Sequence, residues 1–343
     1  MSKPNPTEVH TDFHRVVEAR WLAKTKPPGS LGRIEQIAAL MARIQRTDRP
    51  RAAPVSMLLF AGDHGVYEEA VSPYPQSVTV QMVENIASGG AASSVLAALH
   101  AIDYHVFDVG LLSAPAHHGR IVERNIRRGS RNFCREDAMT HEETLRAIAV
   151  GREAVTAIAH DASVIIVGEM GIANTTSAAA IVAALLGQPA IDWVGAGTGL
   201  DAAGVARKAR AVNAALSRRT FASDLDALTA LGGYEIAAMT GAYLEAAAKR
   251  KVILVDGFIA TAALFVAARM EPSVLESCIF SHCSNERGHR ALLGELCGQP
   301  LLDLGMRLGE GSGALIAYPL LVQSCELLEN MATFTSAGVD ERT

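Results

Sequence analysis

Aromatic residues are scarce in this 343-residue chain: they make up 5%, with two tryptophans, six tyrosines and nine phenylalanines. The interior must therefore be filled by alanine, valine, leucine and isoleucine, with helices in close contact. Hydrophobic residues still reach 49% and charged residues 20%, a balance that excludes a disordered chain. Lysine and arginine form no block, basic and aromatic residues are not interleaved, and the net charge is −5. Nucleic acid is thus excluded as an expected partner. Apolar runs such as 178–186 are too short to cross a bilayer, so no membrane partner is expected. Residues 1–6 lack the apolar segment of a secretory leader. The five cysteines, Cys134, Cys278, Cys283, Cys297 and Cys325, are odd in number and lack CxxC spacing. That pattern fits a reducing, cytoplasmic setting with thiols used as small apolar side chains.

What the chain does have is one unit repeated: a continuous apolar run, a turn bearing glycine or an acid, then a helical stretch. Runs at 55–60, 104–109, 164–167, 191–194, 252–255 and 278–280 each lead into such a turn. Uninterrupted apolar strands are expected where helices cover both faces of a parallel sheet. The repetition predicts an α/β fold with a Rossmann-like, doubly wound, mostly parallel sheet. Ligands in that architecture sit beyond the carboxyl ends of the strands, so the polar turns should share one rim. The ends differ. Residues 8–23 read as a helix, Ser30 is positioned to cap a second one, and a long helix is expected from about 312 to 331. The expected division is a small helical subdomain from 1–30 with 320–343, and a large α/β catalytic domain over 31–319.

Four turns carry candidate chemistry. In 168–176 (GEMGIANTT) a strand meets a helix, and free amides flanked by Asn174 and Thr175 offer an anion site, or plain helix capping. No lysine precedes the threonine pair, so it is not a Walker loop. In 195–200 (GAGTGL) the third glycine comes one place early for a dinucleotide fingerprint. Lys208, two turns into the following helix, could meet a phosphate near this rim. The 281–289 segment (SHCSNERGH) lacks the second Cys/His pair of a zinc site, and Ser284 suits a phosphate or ribose hydrogen bond better. Asp63-His64 fits acid–base work or a tight turn. In 307–314 (RLGEGSGA) a lone carboxylate, Glu310, stands between glycines that let a ligand approach the backbone. No G-x-S-x-G elbow or Cys–His signature points to covalent catalysis.

Taken together, KPPGSLGRIE (26–35), GDHGV (62–66), VSPYPQSVT (71–79), GEMGIANTT, GGYEIAAMTGA (232–242), DGFIATAAL (256–264), SHCSNERGH and RLGEGSGA resemble the nicotinate-nucleotide–dimethylbenzimidazole phosphoribosyltransferase family, in matching order over nearly the whole chain. That family works in the lower-ligand branch of cobalamin synthesis. The resemblance implies transfer of phosphoribose from nicotinate mononucleotide to 5,6-dimethylbenzimidazole, a homodimer, and neither cofactor nor metal. It also implies Glu310 as general base, with Glu169 and Lys208 as further catalytic positions. Expected substrate-binding residues are Ser72, Met170, Gly171, Asn174, Thr175, Ser284, Leu308, Gly309, Gly311, Ser312 and Gly313. Two departures stand out: Ser284-Asn285-Glu286 replaces the usual Ser-Ala-Glu, and the 72–79 loop varies in length among members. The resemblance further implies inversion at C1′, since the donor is β-linked and the product α-linked. The competing readings are an NAD-dependent oxidoreductase using the 195–199 glycines and a non-catalytic nucleotide-binding protein.

Overall fold

Each apolar strand feeds two cores at once, because successive side chains point to opposite faces of the sheet. In β1 (Val55–Gly62), Leu58 and Phe60 enter one hydrophobic cluster, while Met57, Leu59 and Ala61 enter the other. The same alternation splits Ile165 and Val167 from Val164 and Ile166 in β4 (Val164–Met170). It also splits Ile253 and Val255 from Val252 and Leu254 in β5 (Val252–Val255). The computed structural model describes residues 6–116 and 118–340. Residues 1–5, on which the expectation of no leader mostly rests, and the last three residues of the expected terminal subdomain lie outside the described residues.

With β2 (Asp103–Gly110), β3 (Ile121–Glu123) and β6 (Cys278–Phe280), the strands form one sheet in the order β3-β2-β1-β4-β5-β6. Every pairing is parallel. The direction in which strands are added reverses between β1 and β4, the point where a crevice opens at the carboxyl ends.

On one face lie α1 (Pro6–Leu22), α2 (Arg33–Gln45), α3 (Val78–Ala87) and α4 (Ala92–Leu99), joined by a late helix. The other face carries α5 (His141–Glu153), α6 (Asn174–Leu186), α7 (Ala190–Trp193), α8 (Ala202–Arg218), α9 (Asp224–Leu231), α10 (Tyr234–Ala248), α11 (Phe258–Met270) and α12 (His289–Glu295). The late helix, α13 (Ser312–Asn330), returns to the first face, and α14 (Phe334–Ala337) follows it. Among the described residues, no helix is long and apolar enough to cross a membrane.

Two local expectations are corrected. Residues 191–194 are not a strand: they lie in and just beyond α7, with Trp193 buried. Both edges of β4 are already paired, to β1 and β5, so a strand there would have no free neighbour. Ser30 does not cap α2 either. That helix starts after Gly32 without a side-chain cap, and Glu35 reaches back instead, accepting from Leu31 N at 3.0 Å and pairing with Lys26 Nζ at 2.8 Å. At the chain ends, Val17 and Trp21 of α1 pack with Ala38, Ala39 and Ala42 of α2 and with Leu328 of α13. The opposite side of α2 gives Ile37, Met41 and Ile44 to the sheet core.

Scarcity of aromatics is answered by helix contact at backbone distance. At Gly151 of α5, an added Cβ would lie 1.8 Å from the carbonyl oxygen of Ala238 in α10. Backbone cannot step aside as a side chain can. Gly151→Ala is therefore expected to lower unfolding stability by about 2 kcal/mol or more, read as a drop in urea midpoint at constant slope; an unchanged midpoint would refute the close contact.

Candidate active site

Beyond the carboxyl ends of β4, β5 and β6 lies a cavity of about 400 Å³. Its acidic side is built around a stretch of backbone in an unusual conformation. Gly309, Glu310 and Gly311 all have positive φ, at 86°, 59° and 72°. A Cβ on Gly309 would come 2.5 Å from Glu169 Oε1, and one on Gly311 would come 2.3 Å from Met57 Cε, so side chains there would displace those groups as well as carry the strain of positive φ. Only the central residue carries a side chain, and it does so in a conformation costing about 1–3 kcal/mol. Strain of this kind persists where the surroundings fix it.

Glu310 is 5% exposed and lines the cavity. Its Oε2 accepts from Ser93 Oγ at 3.0 Å. Burial raises its pKa, against hydrogen bonds from the Ser93 side chain and backbone, with Asp256 adding repulsion. Glu169, from the end of β4, accepts from Asn174 Nδ2. Burial pushes its carboxyl up to about 8, opposed by Asn174 and the Glu310 backbone N–H and reinforced by Asp256 and Glu235. Asp256 follows β5 and binds the start of α13, accepting from Gly311 N and Ala314 N, each at 3.1 Å. Burial raises its pKa too, and His282 opposes.

Cations gather at a different turn. Arg307 Nη1 donates to Gly197 O at 3.0 Å and lines the cavity. Lys208 stands just behind the wall, 1% exposed, with Nζ 2.6 Å from Thr175 Oγ1. Burial lowers its pKa to about 8, with Glu286 pulling the other way. Glu286 in turn accepts from Gly197 N at 3.1 Å. Desolvating an ammonium without a full counter-charge leaves it ready to receive an anion.

The remaining wall is apolar and includes Tyr74, Val78, Met82, Met170, Ile172 and Phe258. Of the residues expected from the sequence, Glu169, Met170, Gly171, Asn174, Thr175, Ser284, Leu308, Gly309 and Glu310 line the cavity. Five do not line it. Lys208 lies behind Thr175, and Ser72 accepts from Tyr74 N at 3.2 Å, shaping the turn that carries Tyr74. Gly311 is held by Asp256, Ser312 N donates to Gly309 O, and Gly313 lies against the His282 ring. The sequence reading missed Tyr74, Met82, Phe258 and Arg307. Arg307 opened a motif already singled out, and the cation at its head was the available signal.

Both imidazoles of the 281–289 segment are occupied by protein partners. His289 Nδ1 accepts from Ser284 N at 2.8 Å and its Nε2 lies 3.0 Å from Thr261 Oγ1. Burial holds His289 down to about 3, so it is neutral and fixes the Ser284 turn. His282 Nδ1 lies 3.1 Å from Ser281 Oγ. Among the described residues, no group of three or more His, Cys, Asp or Glu is placed to hold a metal. The glycines of 195–199 lack the preceding strand that a dinucleotide fingerprint requires, because α7 occupies that place.

Beneath the cavity, His64 follows β1 and joins three elements. Its Nε2 lies 2.6 Å from Glu235 Oε1 of α10, and its Nδ1 lies 2.8 Å from Ser177 Oγ in the first turn of α6. All three residues are fully buried.

Comparison with known proteins agrees with this architecture. A phosphoribosyltransferase family model matches residues 7–339. The chain is 48% identical to the nicotinate-nucleotide–dimethylbenzimidazole phosphoribosyltransferase of Ralstonia nicotianae, over 97% of this chain and 98% of that one. It is 50% identical to the protein of that name from Cupriavidus necator, over 99% of both. Among solved structures it is similar to CobT from Thermus thermophilus, with a TM-score of 0.92 and 40% identity, covering 96% of this chain and 100% of that one.

Proposed function

The chain belongs to the nicotinate-nucleotide–dimethylbenzimidazole phosphoribosyltransferase family, and from that membership we propose that it moves phosphoribose from nicotinate mononucleotide to 5,6-dimethylbenzimidazole with inversion at C1′, using Glu310 as general base. The products are nicotinate and α-ribazole 5′-phosphate, in the branch that builds the nucleotide loop of cobalamin. The observation that carries the base assignment is an acid held in a left-handed turn between two glycines and lining the cavity.

The donor needs little help to depart. Its pyridine nitrogen is cationic while bonded to C1′ and becomes neutral on leaving, so no proton has to be supplied there. The acceptor behaves oppositely. Its basic ring nitrogen bonds to C1′, the ring turns cationic, and the N–H on the other nitrogen becomes acidic. Glu310 takes that proton as charge develops, an effect worth about 10²–10⁴-fold. Its raised pKa brings it closer to neutrality and makes it a stronger base. Glu169, raised to about 8, is mostly protonated at neutral pH and is suited to a ribose hydroxyl.

The amides opening α6, with Thr175, Lys208 and Arg307, form the phosphate end. The apolar wall from Tyr74 to Met82 suits a flat bicyclic ring. Holding both rings on opposite sides of C1′ contributes further through orientation. A homodimer is the assembly the family likeness supports, tested by sedimentation velocity. Unpaired thiols, five of them, support a reducing cytoplasmic setting.

The test is product identification after supplying nicotinate mononucleotide and the base. Mass spectrometry should find both products, and the anomeric proton signal should report the α linkage. A β-linked product would sink the single-displacement reading, and hydride transfer to NAD would favour the oxidoreductase. Lys208→Ala is expected to raise KM for the mononucleotide about tenfold or more, the scale of a lost hydrogen bond to a charged group, with KM for the base little changed. An unaltered mononucleotide KM would remove Lys208 from the phosphate end.

A further inference from the structure

Glu310 reaches back to the start of a helix that has no cap of its own. Helix α4 begins after Ala91, which supplies no side-chain oxygen. The first amides of any helix lack intrahelical partners and carry the positive end of its dipole. The Glu310 carboxylate stands at this helix start. It accepts from the hydroxyl of Ser93, the second residue of α4, at 3.0 Å, and the nearby Ser93 backbone N–H lowers its pKa. Behind Ser93 stands Tyr104 of β2, whose OH donates to Ser93 Oγ at 3.1 Å. Ser93 is fully buried and Tyr104 nearly so.

We propose that Ser93 and Tyr104 are positioning residues that hold Glu310 ionised and aimed at the cavity, with the amino end of α4 as their support. This rests on the reading of Glu310 as the base.

Hydrogen-bond polarity sets the direction of this chain. A serine hydroxyl has one hydrogen, and Tyr104 donates to its oxygen, so that hydrogen is free for Glu310. Both hydroxyls therefore point inward along one chain, and each donor strengthens the next. A proton on Oε2 would turn the chain against itself. The Ser93 hydrogen would lose its acceptor and would have to turn away from Glu310.

The surroundings make such a device necessary. Burial disfavours the anion and Asp256 from the end of β5 adds repulsion, whereas Glu169 from the end of β4, which lies against the same turn, is mostly neutral with its carboxyl raised to about 8. His282, following β6, faces Asp256, its Nδ1 3.8 Å from the carboxylate. Left to these influences, Glu310 would move toward the protonated form, which cannot accept a proton. Ser94 keeps the arrangement in place by donating to Ile86 O of α3 at 2.7 Å.

The test is the pH profile of kcat/KM for wild type, Ser93→Ala, Tyr104→Phe and Glu310→Gln, on the same substrates so that their own ionisations cancel. Removing a donor to a carboxylate raises its pKa, and activity requires the anion, so the acidic limb must move upward. Ser93→Ala should shift it by about one unit, a tenfold rate loss below the limb with a much smaller loss above it. Tyr104→Phe should shift it less in the same direction, and Ser93→Thr should restore the wild-type limb. If Ser93→Ala does not fold, Tyr104→Phe decides. A uniform rate loss with an unmoved limb in the folded variants would overturn the proposal. Loss of the limb in Glu310→Gln with no shift in Ser93→Ala would leave the base reading standing and sink this one. A wild-type limb in Glu310→Gln would sink both.

Discussion

Glu310→Gln is expected to cut kcat by at least about 100-fold while changing mononucleotide affinity by no more than a few-fold. The amide is nearly isosteric and can still accept from Ser93, so the left-handed turn and the α4 contact survive. What it cannot do is take a proton. In the proposed displacement, the acceptor ring becomes cationic as its nitrogen bonds to C1′, and without a base that charge stays on a ring held in a buried site. The loss should therefore appear in the chemical step, measured as nicotinate release, with binding followed separately by calorimetry. A variant turning over within tenfold of wild type would remove Glu310 from the base role. A large loss of affinity would instead make it a binding residue.

Glu235→Ala is expected to remove about 2 kcal/mol or more of stability, because it deletes one partner of a fully buried hydrogen bond and leaves a void. Its Oε1 lies 2.6 Å from His64 Nε2. The consequence reaches the site. His64 also holds Ser177, three residues after the Asn174 that binds Glu169 and two after the Thr175 beside Lys208. Urea unfolding should record the loss, and kcat/KM should fall even where the protein remains folded. A stability change under about 1 kcal/mol would mean that the pair does not tie β1, α6 and α10 together. Glu235→Gln, which keeps an acceptor, should fall between wild type and the alanine variant.

Most strands were legible in the sequence. Runs at 55–60, 104–109, 164–167, 252–255 and 278–280 belong to β1, β2, β4, β5 and β6. Run length alone did not settle the rest. Residues 191–194 have the same apolar content as a short strand and lie in and beyond α7, while Ile121–Glu123 gave no comparable signal and forms β3. Three or four apolar residues suit either element, and the choice falls to whichever neighbour has free hydrogen-bonding edges.

The candidate site divides along similar lines. Glycine and acid at 168–171 and 307–311 were readable as turns because backbone conformation is a local property, and Glu310 between two glycines was visible at once. Tyr74, Met82 and Phe258 were not, since an apolar side chain facing a cavity has the same local signature as one facing a core. Ser93 was beyond reach for a different reason: it meets Glu310 across 217 residues, as His64 meets Glu235 across 171.

The sequence by itself thus determined the parallel α/β architecture and the turns on its rim, because apolar periodicity and glycine placement act over a few residues. Only the tertiary structure decided which side chains meet there. The uncapped start of α4, the buried acids and the ammonium behind Thr175 are brought together by strand order, and burial changes their ionisation in ways that no local pattern encodes.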